Sequence, residues 1–149
     1  TMHRNFMGYT PYKTRLMIGL GASAIGDSWD AFVQNEKTIA DYQRVVNEGN
    51  LPVFRSHVLD EADQYVRTHI LNLMTTFETT WNATDAENSL LQHALERLEP
   101  LQDDGLVKIN PFSVVVTLEG RNFLRNICMA FDARYWQKQP EGRLFSQAV

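Results

Sequence analysis

Two kinds of apolar spacing in one chain constrain this fold more than any other feature. The first is an almost unbroken run, Leu16-Met17-Ile18-Gly19-Leu20-Gly21-Ala22-Ser23-Ala24-Ile25, bounded by glycines. It is too short for a free-standing helix and suits a strand buried on both faces that leads into a tight loop. The second is the helical spacing of Leu91, Leu95, Leu98 and Leu101, three or four residues apart, which marks an amphipathic helix that needs a partner. A chain that must bury both is an α+β fold, mainly α.

Ile39, Tyr42, Val45 and Val46 recur at helical spacing, and Gly49 is placed to take the left-handed position that ends a helix. Residues 49–56, with Pro52, read as the boundary between two units, 1–56 and 57–149. Asp60, Glu61 and Asp63 put negative charge in the first turn of a helix with the apolar face Val66, Ile70, Leu73, Met74 and Phe77. Thr84-Asp85-Ala86-Glu87 has the form of a capping box opening the leucine helix, in which Pro100 should kink or loosen the last turn.

Val107 to Asn110 and Val114 to Leu118 predict a hairpin around Asn110-Pro111. A last helix is expected from Glu119 to about Lys138, with Leu124, Ile127, Phe131 and Tyr135 on one face, before Pro140 and Gly142. Helix, leucine helix, hairpin and helix, in that order, is the layout of a winged helix-turn-helix. The expected core joins Val66, Ile70, Leu73, Phe77, Leu91, Leu95, Leu98, Leu106, Leu124, Ile127 and Phe131.

Charge and cysteine usage exclude several functions. The net charge of −4 opposes nucleic acid and anionic lipid unless a local basic patch overrides it. In the helix that would enter a DNA groove, Asp85, Glu87, Glu96, Glu99, Asp103 and Asp104 face the single Arg97, so no nucleic-acid partner is expected. No apolar run suits a membrane span, so no membrane partner is expected either. The only cysteine, Cys128, cannot supply a thiolate cluster, and a cytoplasmic location is the simpler reading. His3, His57, His69 and His93 lack metal-ligand spacing and read as surface or half-buried structural residues, so no metal site is expected.

Two features invite a binding role. Gly19-x-Gly21, with Gly26 beyond, departs from the dinucleotide fingerprint, and glycines after a strand serve close backbone approach to a neighbour or to a ligand. Arg121 and Arg125, four residues apart, could grip carboxylates in bidentate fashion or pair with Glu119 or Asp132.

Several strings then stop being anonymous. Asn5-Phe6-Met7-Gly8-Tyr9-Thr10, Ile18-Gly19-Leu20-Gly21-Ala22-Ser23-Ala24-Ile25-Gly26-Asp27, Leu98-Glu99-Pro100-Leu101, Asp104-Gly105-Leu106-Val107 and Arg125-Asn126-Ile127-Cys128-Met129-Ala130-Phe131-Asp132 occur in order. Together they resemble the C-terminal portion of the oxygen-independent coproporphyrinogen III oxidases. The resemblance implies a parent radical-SAM enzyme. In such a parent a four-iron (4Fe-4S) cluster cleaves S-adenosylmethionine, and coproporphyrinogen III loses carbon dioxide from two propionates to give protoporphyrinogen IX.

By the same resemblance, residues 1–56 are the last strand and helix of the parent's catalytic barrel. Residues 57–149 are then a winged-helix-like domain covering the active site. The cofactor contacts it implies are Ile25 with its neighbours Gly21 and Ala24, and Met7, which stands where the family has a glutamine and cannot make an amide hydrogen bond. Arg121 and Arg125 become substrate candidates. This chain alone is expected to hold no cofactor, to carry no catalytic residue and to be inert, with the missing N-terminal barrel as partner. A homodimer through the strand around Leu16 is a further expectation, and an acidic winged-helix interaction module without activity is the competing reading.

Overall fold

The computed structural model describes residues 2–5 and 7–137. Phe6, Lys138, Pro140 and Gly142 lie outside them. The chain divides into two compact units, Thr1–Tyr65 and Val66–Val149.

The first unit is built on antiparallel sheets. Strands β1 (His3–Asn5) and β2 (Gly8–Thr10) pair as a hairpin. Strands β3 (Leu16–Met17), β4 (Ile25–Ser28), β5 (Ala31–Asn35) and β6 (Val53–Val58) form a second sheet in that order. Helix α1 (Ile39–Asn47) connects β5 to β6. Its start is capped by Thr38, whose hydroxyl accepts from the Asp41 amide at 3.1 Å. Its end is a Schellman turn, with Asn50 N–H on the Val45 carbonyl and Gly49 at φ +78°.

Two expectations are corrected here. The apolar run is not one doubly buried strand. Its glycines turn it back on itself, so that Leu16 and Met17 pair with Ser28 and Asp27 of its own continuation. Nor are residues 49–56 only a linker, because Val53–Val58 forms a ladder with β5, pairing Phe32 with His57 and Gln34 with Arg55. Three consecutive polar residues, Arg55-Ser56-His57, leave this strand without a continuous apolar run or a regular alternation.

The second unit opens within α2 (Glu61–Thr76), whose first turn is closed by Asp60 and Asp63 accepting from each other's amides. A three-stranded antiparallel sheet follows in the order β7-β9-β8, with β7 (Glu78–Thr80), β8 (Val107–Asn110) and β9 (Ser113–Val116). The predicted hairpin is β8 and β9, while β7 is an added strand. Helix α3 (Ser89–Asp103) lies between β7 and β8. It begins later than the capping-box signal, because Ala83–Glu87 forms a separate 3-10 turn and the Asn88 side chain caps the helix through the Leu90 amide at 2.9 Å. Pro100 does not stop it, and a second Schellman turn at Gly105, φ +74°, does.

The expected long last helix is three pieces: a 3-10 turn at Glu119–Phe123, α4 (Leu124–Met129) and α5 (Ala133–Gln137). Asp132 makes the break, since its carboxylate accepts from the Tyr135 amide at 2.9 Å and starts a new helix. Leu73, Leu91, Leu98, Ile127 and Phe131 are buried as expected. Val66, Ile70, Phe77, Leu95, Leu106 and Leu124 are half-buried, and Val107, Val114, Val116, Trp81 and Ala94 take their places in the core.

His69 corrects a further expectation, being buried rather than a surface or half-buried histidine. Its Nδ1 lies 2.7 Å from Thr79 Oγ1 and its ring stacks on Phe131 at 5.4 Å. Burial holds the imidazole below its usual value, opposed by the charge of Asp85.

Candidate functional site

The first unit holds the glycine loop. A side chain at Gly19 would lie 2.8 Å from the Ile25 backbone, and one at Gly26 would lie 3.1 Å from the Met17 carbonyl, so these glycines let β3 and β4 close on each other. Gly21 differs, with open space around it and φ +98°, so its constraint is conformational. Asn35 ties the loop: its Nδ2 donates to the Gly19 and Gly21 carbonyls, both at 2.9 Å, while the Gly21 amide donates to Tyr42 Oη at 3.1 Å.

A concavity of about 360 Å³ opens beside the loop, lined mainly by apolar side chains that include Leu16, Ile18, Leu20, Leu51 and Val53. Gly21, Ala24 and Ile25 adjoin it but are not among its lining residues, nor is Met7, which is 85% exposed. Opposite Ile25 across the β4–β5 ladder stands Gln34, whose buried Oε1 has no hydrogen-bond partner among the described residues. Strand alternation alone gives no hint of that orphaned acceptor.

Of these polar residues Asn35 and Tyr42 line the concavity and Gln34 does not, and the Asn35 Nδ2 hydrogens are spent on the Gly19 and Gly21 carbonyls. An iron–sulfur cluster does not fit. Cys128 is buried, and no group of three metal-ligating side chains occurs among the described residues.

In the second unit, Arg121 and Arg125 are exposed, and among the described residues neither has a carboxylate partner. The expected alternative of pairing with Glu119 or Asp132 is therefore not seen. The two residues do not share one regular helix either, because Arg121 sits in the 3-10 turn and Arg125 in α4. The Arg121 guanidinium lies over the Phe77 ring at 4.2 Å, and among the described residues Arg125 has no such platform. Nothing in the residue spacing foretells this pairing, since 44 positions separate the two side chains. Arg97, by contrast, is engaged, donating to the Ala130 carbonyl at 3.0 Å and lying over Trp136.

Fold and site thus define a two-unit α+β chain with a tied glycine loop in one unit and exposed guanidiniums in the other. The chain is homologous along nearly its whole length to the oxygen-independent coproporphyrinogen III oxidases. The Salmonella typhimurium enzyme is 35% identical over 99% of the chain, and that of Escherichia coli K12 is 32% identical over the same share. The Helicobacter pylori enzyme is 31% identical over 89%. The chain spans about one third of the length of the curated relatives it matches, 33% in the first. No family model matches it. Among solved structures, coproporphyrinogen III oxidase from Escherichia coli, described as a radical SAM enzyme, superposes with a TM-score of 0.80 at 34% identity, covering 89% of this chain and 32% of that one.

Proposed function

We propose that this chain is the substrate-covering, C-terminal part of an enzyme that oxidatively decarboxylates two propionates of coproporphyrinogen III to give protoporphyrinogen IX. The observation that carries the reading is the 35% identity over 99% of the chain to an enzyme of that name. S-adenosylmethionine and a 4Fe-4S cluster held elsewhere in the parent would supply the radical chemistry. The residues of this chain would orient and enclose. Arg121 and Arg125 would hold propionate carboxylates, and Ile25, with Gly21, Ala24 and the exposed Met7, would border the cofactor.

The second unit is read as winged-helix-like, which α2, α3 and the β7-β9-β8 sheet support. The acidic face of α3 speaks against a nucleic-acid partner. No helix among the described residues is long and apolar enough to cross a membrane, and a cytoplasmic setting goes with the lone cysteine.

A chimera tests the proposal. This chain replaces the matched third of the Salmonella typhimurium enzyme, and conversion of coproporphyrinogen III is assayed without oxygen. The expected result is activity in the chimera and none in this chain alone, which should also take up no iron on reconstitution. A chimera that folds and binds its cluster but leaves coproporphyrinogen III unchanged would refute the assignment.

A further inference from the structure

We propose that Phe77 is a positioning residue for Arg121, a fixed aromatic platform that holds the guanidinium in place to take a carboxylate of the substrate. This rests on the reading of Arg121 as a carboxylate-binding group and adds the part of the molecule that aims it.

Three observations converge. First, Phe77 is at φ +61°, a left-handed conformation that favours glycine and is costly for a bulky side chain. The position directly after α2 is where glycine normally ends a helix, yet an aromatic ring stands there. The backbone is pinned on both sides, by the Phe77 amide on the Leu73 carbonyl at 3.0 Å and the Val116 amide on the Phe77 carbonyl at 2.8 Å.

Second, the chain carrying Arg121 is held just as closely. A side chain on Gly120 would collide with the Leu106 carbonyl. The Gly120 amide donates to Thr117 Oγ1 at 3.0 Å, and that hydroxyl donates to the Gly105 carbonyl at 2.8 Å. Arg121 therefore leaves a backbone that has little room to move.

Third, the guanidinium lies 4.2 Å over the Phe77 ring and has no carboxylate partner among the described residues. A guanidinium resting on a ring keeps its N–H groups at the edge, where a carboxylate can accept two of them. An arginine serving only surface charge needs neither the platform nor the clamp.

The test uses this chain with coproporphyrin III, a stable tetracarboxylate, as the probe, followed by fluorescence. Side-chain Nε–H resonances of arginine are recorded beside it. Wild type is expected to bind saturably, with the Arg121 resonance displaced by the ring. Arg121→Gln should weaken binding about tenfold or more, as for a charged hydrogen bond, and Arg125→Gln less. Phe77→Leu should weaken it about threefold and return the Arg121 resonance to the free position, while Phe77→Tyr restores both.

If wild type does not bind, or Arg121→Gln binds as wild type does, the carboxylate-binding reading of Arg121 falls and the platform with it. If Arg121→Gln weakens binding and Phe77→Leu does not, the platform alone is wrong. Weakening by Phe77→Leu with an unmoved arginine resonance, or without rescue by Phe77→Tyr, makes Phe77 merely structural and also overturns the inference.

Discussion

The two units differ in where their apolar side chains go. In the second, Leu73, Ala94, Leu98, Val114 and Ile127 are fully buried. In the first, Leu16, Ile18, Leu20 and Leu51 face outward, the last two more than 80% exposed, and the buried residues described are Asp27, Asn35 and Leu59. A unit of the first kind is held by ladders and loop ties, with an apolar face left in water at about 25 cal/mol for each Å² that could be covered. A unit of the second kind encloses a core. On the proposed reading the contrast has a physical reason, because a sheet covered by other parts of a parent enzyme would not need to be self-sufficient; the chain spans 33% of the length of its Salmonella typhimurium relative.

The strongest way to break this comparison is in the enclosed core. Leu98→Ala should cost about 2–5 kcal/mol in urea unfolding, as for a deeply buried leucine. A loss below about 1 kcal/mol would mean that the second unit has no tight core. Gly120→Ala comes next, at about 1–3 kcal/mol of overpacking, since the added methyl would meet the Leu106 carbonyl. Unchanged stability there would show that the 3-10 turn is loosely seated.

His69 sharpens the contrast through pH. Its folded-state value is lowered from 6.5, so the unfolded chain binds a proton first as pH falls. The stability contributed by the neutral ring is fully present above about pH 6.5, is lost as pH falls from there to the folded value, and is then constant. His69→Gln should flatten that part of the profile. An unaltered slope would place its origin in another group.

The smallest effects belong to the first unit. Leu20→Ser and Leu51→Ser should each change stability by no more than about 0.5 kcal/mol. They should also reduce any growth of mass with concentration seen by light scattering, because a bare apolar face favours association. A chain that is already monomeric at high concentration would remove the proposed dimer through the Leu16 strand.

Much of the second unit was legible because its signals are local. Leucines at helical spacing, Gly105 and the β-branched run at Val114 each act within a few residues and place α3, its end and β9 directly. Local signals also misled. Thr84-Asp85-Ala86-Glu87 has a capping form, yet Asn88 caps the helix, and the pattern from Leu124 to Tyr135 looks continuous although Asp132 divides it. Arginine spacing and family strings offered Arg121, Arg125 and Ile25 as candidates, while nothing local pointed to Phe77 or Gln34, whose positions depend on contacts distant in the chain.

By itself the sequence determined the glycine stops at Gly49 and Gly105 and the single cysteine, because positive φ at a helix end and ligand chemistry are properties of a few neighbouring residues. Only the tertiary structure decided that the apolar run folds back as β3 and β4, that His69 is buried beneath Phe131, and that Phe77 lies under Arg121. Those outcomes depend on contacts between residues far apart in the chain, whose energies exist only once the backbone has brought them together.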